Sequence, residues 1–186
     1  IRLDARESIS GPAWSPDGRT IAVSANRGGL SDLYLIDVES GQARRITDDR
    51  YADLQPAWSP DGRTLAFVTD RGEGTNFETL SYGPMRIGLY DLASGEIRVL
   101  RPFPGAKHVD PQYSPDGGSL FFISDRTGVS DVYRLDLATG ETFQVTRVQT
   151  GVTGITDLSP ALSVSRETGR LVFSVFVDGD YAVYGL

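Results

Sequence analysis

His108 is the only histidine in the sequence, and Asp110 stands two residues after it. A histidine oriented by a carboxylate is the proton-handling half of a Ser-His-Asp site, so any hydrolytic triad in this chain must run through His108. No G-x-S-x-G elbow singles out a serine to serve as its nucleophile. A second group of chemically capable residues recurs along the chain: Asn26-Arg27, Asp70-Arg71 and Asp125-Arg126, with Asp32 and Asp131 further on. Acidic residues in such numbers invite a calcium reading. Calcium needs six to eight oxygens at one point, and no loop has the D-x-[DN]-x-[DN]-G spacing that supplies them. One histidine and no cysteine make a His-rich or thiolate zinc site impossible. No P-loop or dinucleotide fingerprint is present, so no cofactor is expected. A side chain needed once per unit reads as an inter-unit bond or a loop cap, which leaves an ion shared at a common axis as the open question.

These residues recur because the chain is a repeat. Pro56-Ala57-Trp58-Ser59-Pro60-Asp61-Gly62-Arg63-Thr64-Leu65-Ala66-Phe67 is matched at Pro12 to Val23 and, more loosely, at Pro111 to Phe122. Each stretch is a short apolar strand, a turn and a returning strand. Proline presets the first corner of the turn, aspartate bonds the backbone just ahead, and glycine accepts the positive dihedral that follows. The structural repeat residues are thus Trp14, Asp17 and Gly18, then Trp58, Asp61 and Gly62, then Tyr113, Asp116 and Gly117, with Arg27, Arg71, Arg126, Asp32 and Asp131 behind them. A lone hairpin is marginal in water, so repeated hairpins must stack to share a core.

Adding the strands at Asp32–Asp37 and Ala43–Thr47 gives four short strands per unit, the pattern of a propeller blade. Units are expected at 12–55, 56–110 with an insertion within 71–86, 111–159, and a partial fourth at 160–186, where Leu162 replaces the aromatic. Residues 1–11 read as the end of an outer strand and an entry segment. The second strands, such as Leu120-Phe121-Phe122-Ile123, are continuously apolar, as expected where neighbours cover both faces. The fold class is all-β, a β-propeller of four-stranded antiparallel blades. Either Ile1–Leu3 complete the last blade and four blades close, or the chain is part of a larger propeller; the incomplete fourth unit favours the second.

The phrase W-S-P-D-G-R-x-[IL]-A, followed by S/T-[DN]-R-x-G and D-[LV]-Y-x-[IL]-D, resembles the TolB-like family of WD-like propeller repeats. The resemblance covers nearly the whole chain, is broken by the insertion in unit two and is weak in unit four, where Ala182 holds the position of Asp32 and Asp131. It implies a propeller of more than four blades in a periplasmic or extracytoplasmic setting. Family members include protein-binding TolB and the non-catalytic propellers of prolyl-oligopeptidase-like and Tricorn-like peptidases.

Composition bounds the partners. A formal charge of -7, with Lys107 the only lysine and arginines scattered among acids, lacks the basic stripe of a nucleic-acid binder. Of 186 residues 39% are hydrophobic, yet no apolar run approaches the roughly 20 needed to span a bilayer, although a membrane-associated assembly remains compatible.

Up-and-down strand order places the SPDG turns and the S/T-G turns on one face, where they are short and uniform. The other face carries the insertion, the stretch Arg101–His108 and the extended Val148–Leu158. Variable loops on a rigid scaffold are where binding is usually placed. Phe77, Tyr82, Met85, Arg86, Phe103, Lys107 and His108 are therefore the partner-binding candidates; the competing reading has Phe77, Tyr82 and Phe103 tucking their loops onto the blades. Three functions follow: a non-catalytic protein-binding or scaffold module, a docking propeller of a larger peptidase, or a structural subunit of an envelope assembly.

Overall fold

The computed structural model describes residues 8–154 and 159–186; the outer strand expected at Ile1–Leu3 lies outside them, as do Ile155–Leu158 of one variable loop. The described strands form four antiparallel sheets whose strand order follows the chain. Blade 1 holds β1 (Ser8–Trp14), β2 (Thr20–Arg27), β3 (Leu30–Asp37) and β4 (Ala43–Arg45). Blade 2 holds β5 (Asp53–Trp58), β6 (Thr64–Thr69), β7 (Arg86–Asp91) and β8 (Ile97–Leu100). Blade 3 holds β9 (His108–Tyr113), β10 (Ser119–Ser124), β11 (Asp131–Asp136) and β12 (Thr142–Gln144). Blade 4 has β13 (Leu162–Val164), β14 (Leu171–Val177) and β15 (Asp180–Gly185).

The SPDG turn builds itself from local bonds. Ser59 Oγ donates to Asp61 Oδ1 (2.6 Å) and accepts from Thr64 N (2.9 Å), while Asp61 Oδ1 also accepts from Arg63 N (3.0 Å). Ser15/Asp17 and Ser114/Asp116 repeat the arrangement. These bonds hold the carboxyls of Asp17, Asp61 and Asp116 below the ordinary aspartate value. Successive turns also nest. Pro16 Cδ lies 3.7 Å from where a Gly62 Cβ would stand, and Pro60 Cδ lies 3.4 Å from the same point on Gly117. Glycine is needed there for its positive φ; the neighbouring proline ring packs at ordinary contact distance.

Two expectations shift by a few residues. Each inner strand begins before its proline, at Ser8, Asp53 and His108, because a bulge interrupts pairing at Gly11-Pro12, Gln55-Pro56 and Asp110-Pro111 and the ladder resumes beyond it. Ser8–Gly11 thus belong to blade 1 rather than to an entry segment. In unit four, Val164 faces Leu171 as Trp14 faces Ile21, so Val164 rather than Leu162 takes the aromatic's place.

Three apolar cores lie between blades. Trp58 joins Ala22, Leu33 and Leu35 of blade 1 to Leu65, Phe67 and Tyr90, and its Nε1 donates to Ala13 O (3.1 Å). Ile87, Leu89, Phe122 and Tyr133 form the second core, and Ile123, Val132, Leu162, Phe173 and Val175 the third. The end blades show what a neighbour contributes. Trp14 is 51% exposed where Trp58 is 9%. β14 alternates, with Leu171, Phe173 and Val175 buried against blade 3 while Val172 and Phe176 face out.

Candidate functional site: the loop face and the axis

The inner strands β1, β5, β9 and β13 line the axis. A cavity of about 780 Å³ opens toward the variable loops, bounded by Gln55, Met85, Lys107, Asp110 and the Thr150–Gly154 segment. At the bulges, Gln55 (φ 49°) and Asp110 (φ 53°) adopt the left-handed conformation, uncommon for a residue with a Cβ. Their side chains turn that geometry into links between blades. Asp110 N donates to Gln55 Oε1 (2.9 Å), and Ala161 N and Leu162 N both donate to Asp110 Oδ2 (2.9 and 2.8 Å). Blade 1 has Gly11 at this position, where a Cβ would sit 3.3 Å from Gln55 Cα.

Burial pushes the Asp110 carboxyl up to about 6, against the pull of the Leu162, Ala161 and Gln112 donors. A folded-state value above the ordinary 3.8 means that the folded chain binds this proton more tightly than the unfolded chain. Its contribution is therefore largest in acid and declines as pH rises through about 4 to 6. Asp110→Asn keeps an oxygen for both N–H groups and removes the titration. The expected result is a variant that gains on the parent by roughly 2 kcal/mol between pH 4 and pH 7, read from urea unfolding at the two pH values.

The insertion is anchored at its stem and free at its tip. Arg71 pairs with Asp53 and Asp49 and lies over the Tyr51 ring. Arg86, buried as the first residue of β7, donates to Arg71 O (3.1 Å) and Glu73 O (2.6 Å). Thr75 Oγ1 donates to Asp70 O and accepts from Gly83 N. Half-buried Phe77 meets Tyr51 edge-on (5.0 Å) beneath the Arg50 guanidinium (4.7 Å). Beyond these, Leu80 and Tyr82 are 67% and 63% exposed, and Leu80 has φ 53°.

The candidate residues thus divide. Tyr82 is fully presented, Lys107 is exposed, and Met85 borders the cavity. Phe77 and Arg86 hold the insertion in place. Phe103 and His108 are buried in the core between blades 2 and 3. Neither ring nitrogen of His108 has a hydrogen-bond partner among the described residues, so no hydroxyl is poised on it. Leu80, Gln55 and Asp110 have the site positions that sequence reasoning missed as binding or linking residues. A signal existed: each precedes a proline or sits in the insertion.

The recurring polar residues cap loops. Asp32 takes Arg45 and Thr47, and Asp131 takes Thr146, Gln144 and Val148 N, each fastening its own blade's outer edge. Asp70 accepts from Ala52 N and Asp125 from Lys107 N, fixing the connection that enters the inner strand. Arg126 lies 4.1 Å over Phe103, and Arg27 ends β2.

Residues 4–77 match the family model described as the TolB beta propeller domain. The chain is 34% identical to the uncharacterized peptidase YuxL of Bacillus subtilis, over 64% of this chain and 22% of that protein. It is 36% identical to the Tol-Pal system protein TolB of Bordetella pertussis, over 76% of this chain and 30% of that one. Among solved structures, TolB from Acinetobacter baumannii superposes with a TM-score of 0.73 at 24% identity, covering 98% of this chain and 42% of that one. A puromycin hydrolase S511A mutant complexed with PGG gives 0.69 at 23%, covering 98% and 27%. The chain therefore spans less than a third of either of these two curated relatives.

Proposed function

The chain carries the repeats of the TolB-like β-propeller family, and from that premise we propose that it is a non-catalytic module that binds another protein through its variable-loop face. The observation that carries this reading is the contrast between faces. One is closed by near-identical turns that bond themselves; the other raises a stem fixed by Arg71 and Arg86 so that Leu80 and Tyr82 stand in solvent. Exposed aromatic and aliphatic groups on a rigid stem suit an interface anchor, since little entropy is lost when they dock. The resemblance to the TolB-like family implies a periplasmic or extracytoplasmic setting, and among the described residues no helix is long and apolar enough to cross a membrane.

One observation favours a second reading. The YuxL match lies within a protein named as a peptidase, and the puromycin hydrolase superposition shows the same fold within a protein named as a hydrolase, so the same face can dock a catalytic domain instead of a separate partner. Replacing Leu80 and Tyr82 together by serine in the full-length protein tests the shared claim. Affinity for the partner, or inter-domain association, should fall at least tenfold while the unfolding midpoint is unchanged, because both side chains are exposed. Unaltered association would remove the loop tip from the interface.

A further inference from the structure

We propose that His108 is the trigger of an acid-opened loop: protonating its ring releases Phe103 and the connection 101–107 from the core between blades 2 and 3. His108 begins β9 and is 1% exposed, its ring stacked 5.9 Å from Phe103 and 5.4 Å from Phe122. Phe103 also meets Tyr133 edge-on at 5.0 Å. The Phe103 ring thus closes over the imidazole, and Ala106 follows it into the same core. Around the ring there is aromatic carbon and no acceptor in bonding geometry: both ring nitrogens and the Tyr133 hydroxyl lack partners among the described residues.

A neutral imidazole tolerates this pocket; an imidazolium finds no acceptor in good hydrogen-bond geometry among the described residues and is shielded from water. The surrounding charges do not rescue it. Arg86, at the start of β7, opposes a second positive charge, and Arg126 lies on the Phe103 ring. From the turn after β10, Asp125 favours protonation, but one of its carboxylate oxygens already holds Lys107 N (2.8 Å). The Met85 carbonyl leans the same way and is taken by the His108 amide (2.9 Å). Burial dominates and holds the imidazole below its ordinary value. The sign follows. The closed form binds fewer protons than the open one, so closure is secure above the ordinary 6.5 and weakens as pH falls below it. Moving the Phe103 cap is the least disruptive way to hydrate the ring, because Phe103 and Ala106 sit in a connection outside any strand, whereas Phe122 and Tyr133 are inside β10 and β11.

The test is amide hydrogen exchange on the full chain. Protection factors at His108 and Lys107 should fall about 100-fold between pH 7.5 and pH 4.5, the factor expected if the freed ring titrates at its ordinary value. Amides of Ala22 and Leu33 in blade 1 should keep theirs. His108→Leu should abolish the local fall. Asp110 titrates in the same range with the opposite sign, so Asp110→Asn should leave the fall intact. Should the leucine variant not fold, the His108 ring resonances of the parent decide: they are expected to protonate only as the loop's own signals shift. A ring that protonates near 6.5 while its amide stays protected, or a fall that persists in His108→Leu, would overturn the proposal.

Discussion

Replacing Arg71 by methionine is expected to lower the unfolding free energy by about 3–5 kcal/mol, the range for removing one partner of a buried ion pair. Asp53 is fully buried, and its carboxylate faces the Arg71 guanidinium through both oxygens. Burial already pushes the Asp53 carboxyl up, and Arg71 is the largest influence holding it down. With methionine in place the stem still packs, but Asp53 must either stay charged without a counter-charge or take up a proton. The loss should therefore be greatest at neutral pH, and Asp53→Asn in the same background should recover part of it. Arg71 also bonds Asp49 and Thr69 and covers Tyr51 and Phe67, so the insertion's stem should loosen as well. Urea unfolding of the single and double variants measures this. A cost below about 1 kcal/mol would mean that the pair behaves as an exposed one.

Phe67→Ala should cost about 3–5 kcal/mol, as truncating a fully buried phenylalanine does. The ring is the centre of the core between blades 1 and 2, and it lies across Gly88, its partner on β7. A Cβ on Gly88 would stand 2.5 Å from Phe67 Cζ and 2.6 Å from Cε1, so Gly88→Ala should itself cost about 1–3 kcal/mol by overpacking. The two losses should not add. With alanine at 67 the methyl at 88 enters vacated space, and the double variant should be more stable than the sum of single effects implies by at least 0.5 kcal/mol. Additive costs would show that the ring does not rest on Gly88.

What could be read from the chain was local. Ser59, Asp61 and Gly62 make their turn with bonds spanning two to five residues, so the hairpin, its repetition and the blade pattern were legible. The insertion was legible as a departure from that repeat. Its internal division was not, because Arg86 reaches back to Arg71 and Glu73, and whether Phe77 is covered depends on Tyr51 and Arg50 in the preceding connection. His108 looked like part of an exposed loop because the sequence around it, Pro104-Gly105-Ala106-Lys107, is turn-like. Its burial comes from Phe122, on a strand later in the chain, and from Phe103, which Tyr133 and Phe122 hold against it. Asp110 attracted notice as a neighbour of His108, whereas its bonds go to Ala161 and Leu162, more than fifty residues away. Long-range contacts of this kind follow from blade stacking and leave no local signature.

The binding face is tested most directly by placing a photo-crosslinking residue at position 82, and separately at position 63 on the turn face, in the full-length protein in its native cells. Both sites are exposed, so reach is equal. Crosslinks to another polypeptide, or to another domain of the same one, are expected from position 82 and not from 63; the first product supports a separate partner and the second a docked domain. Adducts from position 63 alone, or none from position 82, would contradict a binding role for the variable-loop face.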